Sequence, residues 1–402
     1  MINFINGQNQ YVFEHRFQQD LMRSAFRCFH TTTFVLLCIS SLFAQVDVGL
    51  FVHRPVSQIM VSPSEGNYVL LNENMDTVYR FRADDALSIQ AVGNGLSVKS
   101  VYGFSDTLYS ATLAGSGLKP SFVVRSGTET KDHNYFDGLK MEAKNSVLEV
   151  ANRVNMERYV SRVVISEVGY GANEEYYKIQ SIICRTYAAR HLGRHAAEGF
   201  DLCDNEHCQV FSGFKKETNE VVRATASTNG LVMIDPKEQL ILSAFHANCG
   251  GQTANSEDVW KESRTYLVSV EDTFCHSGRS SNWQKTMPAQ DLLAQIGFSS
   301  NTSEFSNFEF DQTDRKKYFT LGSDSLEIAE MRKMLQLRST LFNLEFRDGN
   351  AVFHGRGYGH GVGLCQQGSM KMAEFGYNYS QILGYYFKGV SLVSLSALPG
   401  KK

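Results

Sequence analysis

Three groups of residues in this chain have the types and spacing to do chemistry. Glu167 ends the apolar run of residues 154–168, just before the break Gly169, Tyr170, Gly171, Ala172, Asn173. A helix-terminal glutamate is ordinarily a solvated carboxylate, but one that is partly buried keeps its proton toward neutral pH and can protonate a leaving group. Cys203, His207 and Cys208 fall within six residues of FDLCDNEHCQVFSG. Two thiolates and an imidazole so close can converge on zinc if the loop is irregular, since adjacent His and Cys diverge in a regular element. A Cys203–Cys208 disulfide or a pair of buried thiols are the other readings, and Cys249, His246 or water could supply a fourth ligand. His360 lies in GRGYGHGVGLCQQGS, where five glycines within nine residues rule out a plain helix or strand and point to a backbone that hugs a neighbour. His360 could orient a substrate or Glu167, or simply pack in that loop.

The elements that must position these groups follow from periodicity. Tyr159, Val163 and Val164 make an apolar stripe that the glycine-containing break should stop, and Asn173 with two following glutamates should cap a second helix. That helix carries Tyr176, Ile179, Ile182, Ile183 and Tyr187 at steps of three and four. Residues 46–150 instead run as short apolar stretches bounded by Gly, Asn, Asp and Ser, which reads as a β-rich module, with Asp132 to Tyr135 as a surface loop. MPAQDLLAQIGF and residues 325–337 read as helices. From Gln366 a helix with Met370, Ala373 and Phe375 inward leads to another around Ile382 and Leu383. The expected class is α+β, a helical pair packed on mixed β structure that forms a substrate groove, preceded by the β-rich module. The expected divisions are residues 1–44, 45–150 and 151–395.

Two stretches resemble the SpoIID/LytB family of bacterial cell-wall proteins. The first has a helix ending in Glu167, followed by Cys184, Arg185, Thr186, Tyr187 and Ala188 in place of that family's A-R-T-Y-A. The second is the run from Gly355 to Gly363 with Gln366 and Gly368 after it. Between them Gly250, Gly251, Thr253, Val259, Trp260, Tyr266 and Leu267 are similar to the family's turn and V-W…Y-L pattern, while Cys365 and Gln367 depart from the usual Ser and Trp. The resemblance implies a peptidoglycan lytic transglycosylase in which Glu167 serves as both acid and base, acting on MurNAc-GlcNAc strands stripped of stem peptides. It further implies Arg185, Tyr187, Gln209, His360 and Gln366 as groove-lining residues and one structural zinc on Cys203, His207 and Cys208. Some relatives are amidase modifiers, which implies the alternative of a non-catalytic glycan binder partnering an N-acetylmuramoyl-L-alanine amidase.

Composition bounds the partners. With 402 residues, 39 basic against 42 acidic and only 6 prolines, the chain is an ordered globular protein without a charge excess that would steer it to nucleic acid. Arg23, Arg27 and His30 precede the apolar run of residues 33–43, which ends in a small residue at Ala44. That is the layout of an export signal, with Met22 an alternative start; a run of eleven residues falls short of the roughly 20 a spanning helix needs. The expected location is the periplasm or cell envelope, with retention of the segment as an anchor the alternative. Six of the eight cysteines would remain after cleavage.

Overall fold

The computed structural model describes residues 45–127, 132–213, 218–275, 281–299 and 308–399; the expected export signal lies outside them. Short alternating stretches become long strands. Residues Gln58–Leu71 and Ser110–Ser126 pair antiparallel, with register shifts near Pro63 to Asn67 that let both strands bend. They form the middle of an 11-stranded sheet whose path runs from Leu202–Cys203 through Gln45–Leu50, Val147–Asn155 and Gly138–Lys144 to Ser105–Leu108. Alternation puts Ile59, Val61, Leu87, Ile89, Leu96 and Val98 inward. One strand was hidden in the presumed surface loop: His133–Phe136 pairs with Ser121 to Val124, and Tyr135 is buried against Phe122 and Phe211. The class is α+β, as expected, with seven α-helices among the described residues.

The sheet's last long strand leads directly into helix α1, Met156–Val168, which Asn155 caps by accepting from the Glu157 amide. Gly169, at φ 77°, ends it, and Asn173 caps α2, Glu174–His191, as the sequence predicts. Helix α2 is more enclosed than a single stripe suggests. Beyond Tyr176, Ile179, Ile182 and Ile183, it also buries Gln180, Ser181, Cys184, Arg185 and Thr186. It packs on α1, on α3 (Asn219–Ser227) and on the strand Leu231–Ile234. Residues 281–299 and 308–356 build a separate layer. Four strands carry α4 (Ala289–Ile296) and α5 (Ile328–Met334) over a phenylalanine-rich core of Phe310, Phe319, Phe342 and Phe353. The helix expected over 325–337 is shorter, because Asp324–Glu327 pairs as a strand with Tyr318–Leu321.

Helices α6 (Gln366–Glu374) and α7 (Tyr379–Tyr386) close the core on α2. Phe375 faces solvent and does not point inward; α6 stops one residue earlier and buries Ser369, Met372 and Ala373.

The side chain that ties α1 to α2 is Arg185. It is fully buried, and its Nε and Nη2 grip both oxygens of Glu157 at 2.7 and 2.5 Å, while Nη1 donates to the Leu231 carbonyl at 3.0 Å. Glu157 also accepts from the Gly230 amide at 3.2 Å. Removing one partner of such a pair strands the other's charge, so Arg185→Ala should lower the unfolding free energy by about 3 kcal/mol or more, read as the urea midpoint. A loss under about 1 kcal/mol would show that the pair behaves like an exposed surface bridge.

Candidate functional site

The end of α1 is clamped from both sides. The Gly169 amide donates to Ile165, the Tyr177 hydroxyl donates to the Gly169 carbonyl at 3.0 Å, and the Ala172 amide donates to that hydroxyl. Ser166 Oγ lies 3.3 Å from Ser212 Oγ. Glu167 sits between these clamps, half-buried, with its carboxyl accepting from the Val210 amide. Burial raises its pKa above the ordinary carboxyl value, the Val210 amide opposes that rise, and the negative charge of Glu206 adds to it. A proton held this way suits a general acid.

The segment that meets Glu167 is organised by the cysteine and histidine cluster. Leu202–Cys203 pairs with the first strand, and a turn then brings Cys203, His207 and Cys208 together. The fourth candidate donor is His195, which lies outside the FDLCDNEHCQVFSG stretch. His195 Nε2 lies 3.4 Å from Cys208 Sγ, and His207 Nδ1 lies 3.6 Å from Cys203 Sγ and 3.8 Å from Cys208 Sγ. The four ligand atoms all fall within 4.8 Å of one another, a Cys2His2 set that suits tetrahedral zinc without leaving a position for catalysis. Cys249 and His246, the two side chains weighed for that place, belong to other sites. Downstream of the cluster, Phe211 stacks on Tyr159 with centroids 5.2 Å apart, and Gln209 accepts from the buried Tyr159 hydroxyl at 3.1 Å. A cavity of ≈ 590 Å³ opens beside this segment, lined by His53, Arg54, His133, Asp204, Glu206 and Val210 among others.

The groove-lining residues implied by the resemblance separate. Gln209 is buried, bonded to Tyr159 and facing Cys184, so it packs in the interior next to Val210 and does not line a groove. Arg185 is in the core, gripped by Glu157, and cannot line a groove; its sequence position on α2 gave no sign of that burial. Tyr187 faces the loop of the cysteine and histidine cluster, with its ring 4.2 Å from His191 and its hydroxyl accepting from Arg194 at 3.1 Å. Gln366 hydrogen-bonds Tyr176 at the start of α2. His360 Nδ1 accepts from the Val362 amide at 3.0 Å and the ring also bonds the Phe245 backbone, while burial pushes its pKa down to about 4. It is therefore neutral at physiological pH and packed, 5.0 Å from the Trp260 ring and 5.5 Å from His246. Trp260 is half-buried and supplies an aromatic face where Gln367 does not.

The glycine-rich run hugs the segment 244–250. Gly363 has φ +72°, and a Cβ there would stand 2.3 Å from the Ala244 carbonyl oxygen.

The model of the stage II sporulation protein family matches residues 144–234, the span that holds Glu167 and the Cys2His2 cluster. An uncharacterized protein of Brachyspira hyodysenteriae is 29% identical over 281 residues, covering 68% of this chain and 76% of that protein. The stage II sporulation protein D of Bacillus subtilis is 25% identical over 265 residues, 62% of this chain and 77% of the relative. The amidase enhancer of the same organism is 24% identical over 58% of this chain and 40% of its own length. These matches support the SpoIID/LytB family for this chain. The cysteine and histidine cluster and the Glu167 clamp both lie within the SpoIID match. No helix among the described residues is long and apolar enough to cross a membrane.

The raised pKa of Glu167 has a consequence for stability. A group whose folded pKa lies above its unfolded value contributes stability at low pH that is lost as pH rises through the folded pKa. Glu167→Gln should therefore melt at a higher temperature than the parent at pH 7. The gap should close as pH falls below the ordinary carboxyl value of 4.5. Equal melting temperatures at both pH values would mean that Glu167 is solvated like any surface carboxylate.

Proposed function

We propose that this chain cleaves the glycan strands of peptidoglycan as a lytic transglycosylase with Glu167 as its single acid and base. The carrying observation is a half-buried carboxyl with a raised pKa at the end of a rigidly clamped helix. Protonated Glu167 gives its proton to the glycosidic oxygen as the bond to C1 breaks. The 6-hydroxyl of the same muramyl sugar then attacks C1 and returns a proton to the Glu167 carboxylate. Water is not consumed, so the second carboxylate that a hydrolase needs is not required. Trp260, beside His360, is the proposed aromatic platform for a sugar ring, with Gln366 near it in the chain's second motif. Strands already stripped of stem peptides are the proposed substrate, and the cell envelope the proposed location.

Zinc on His195, Cys203, His207 and Cys208 is proposed as a brace that holds Val210 against Glu167 and takes no part in the chemistry. A second reading follows from the relative named amidase enhancer: a glycan binder that stimulates a wall amidase and makes no cut itself.

Peptide-free glycan strands incubated with the protein should yield 1,6-anhydro-muramyl ends by mass spectrometry, and the Glu167→Gln protein should yield none. If neither protein cuts, but both bind strands and accelerate an amidase, the second reading replaces the first. Cys208→Ser should leave the Glu167 carboxyl in place yet lower cleavage by about tenfold or more, the usual effect of loosening a support around a site. Unchanged turnover with zinc lost would separate the cluster from the reaction.

A further inference from the structure

A second group of side chains of the kinds that ligate metals lies elsewhere in the chain. Cys249, Asp272, Cys275 and Cys365 come from three separate segments: the turn after the strand Phe245–His246, the 3-10 turn Thr273–Cys275 with its preceding residue, and the start of α6. All four are buried, at 0, 0, 1 and 0% exposure, and their ligand atoms all lie within 4.8 Å of one another. Cys249 Sγ stands 3.2 Å from both Cys275 Sγ and Asp272 Oδ2.

We propose that Cys249, Asp272, Cys275 and Cys365 form a buried, four-donor site for a thiophilic divalent cation of the zinc class, distinct from the cluster near Glu167. Three sulfurs and one carboxylate oxygen are the donor number and softness that tetrahedral zinc takes. The surroundings match a site for thiolates. Cys365 Sγ accepts backbone N–H bonds from Cys249 at 3.3 Å and from Gly368 at 3.4 Å, at the N-terminal end of α6, and such donors hold a ligating thiolate in place. Asp272 is completely buried, yet its partners are neutral: the Tyr386 hydroxyl at 2.8 Å, the Phe274 amide at 3.0 Å and the Cys249 thiol. A carboxylate enclosed this way lacks the countercharge that a cation would bring. The Arg315 guanidinium, bonded to the Cys249 carbonyl at 2.7 Å, lies close enough to share the excess negative charge of a thiolate-rich centre. Gly368 accounts for the space: a Cβ on it would meet Asp272 Oδ2 and Tyr386 Oη at 2.3 Å. On binding, each ligating thiol releases its proton to solvent as its bond to the metal forms, and no electron is transferred. The ion would pin the start of α6 to the turn that the glycine-rich run embraces.

The test counts zinc in the full chain purified with reductant and without chelator, beside Cys203→Ser/Cys208→Ser, which disables the other cluster. About one zinc per chain should remain in that variant and should vanish when Cys249→Ser and Cys275→Ser are added. A zinc-free Cys203→Ser/Cys208→Ser protein, with Cys249 and Cys275 recovered as a disulfide-linked peptide from material made without reductant, overturns the proposal. If the serine variants do not fold, the unmutated protein decides. Alkylation of Cys249, Cys275 and Cys365 that zinc blocks and a chelator opens supports the site, whereas alkylation indifferent to both contradicts it.

Discussion

The bidentate grip of Arg185 on Glu157 is the constraint on which the placement of Glu167 rests. It fixes the first turn of α1 to the middle of α2 and, through Gly230 and Leu231, to the strand behind both. Ten residues separate Glu157 from Glu167, about 15 Å along a helix at 1.5 Å per residue. The pair therefore acts at one end of a lever whose other end carries Glu167, the proposed acid. An isolated buried charge pair is weak evidence for stability, since desolvation offsets much of the attraction. Its value here is geometric: the planar guanidinium admits one relative orientation of the two helices.

At the far end of the lever the restraint changes chemistry. Tyr177 closes the turn after Glu167 from the α2 side, and the 209–212 segment closes it from the other, through Val210, Phe211 and Ser212. That segment has almost no regular structure of its own, and the two cysteines and two histidines just upstream are placed where the proposed zinc would hold it. The same physical problem recurs where the glycine-rich run crosses residues 244–250. There the second cluster of thiols sits beneath another irregular backbone. In both places the proposed metal cross-links would stand in for the missing ladder of hydrogen bonds.

Much of this was legible in the chain's residues. Caps at Asn155 and Asn173, the stop at Gly169 and the inward stripes of both helices follow from local rules that the tertiary structure leaves intact. The β-rich first module was legible as a class. Its long strands were not, because bulges near Gly66 interrupt the alternation, and the strand at His133–Phe136 reads as polar although Tyr135 packs in the core. Arg185 and His360 show a second kind of loss. A charged or ionisable side chain in a motif invites a role at the surface, and only the packed structure shows one gripped by Glu157 and the other held neutral against Trp260. His195 was recoverable in principle, as a histidine eight residues before Cys203. Asp272 and Cys275 stand three residues apart, but nothing local ties them to Cys249, more than twenty residues before, or to Cys365, about ninety after.

The central claim is that one carboxyl, Glu167, suffices because the substrate's own hydroxyl is the nucleophile. Glu206 lies close enough to influence Glu167 electrostatically, so a two-carboxylate hydrolysis is the direct rival. Running the digestion in water enriched in oxygen-18 separates the two. The account predicts newly formed muramyl ends that carry no label. Ends that take up one labelled oxygen per cut, with cleavage lost on Glu206→Gln as well as Glu167→Gln, would contradict it.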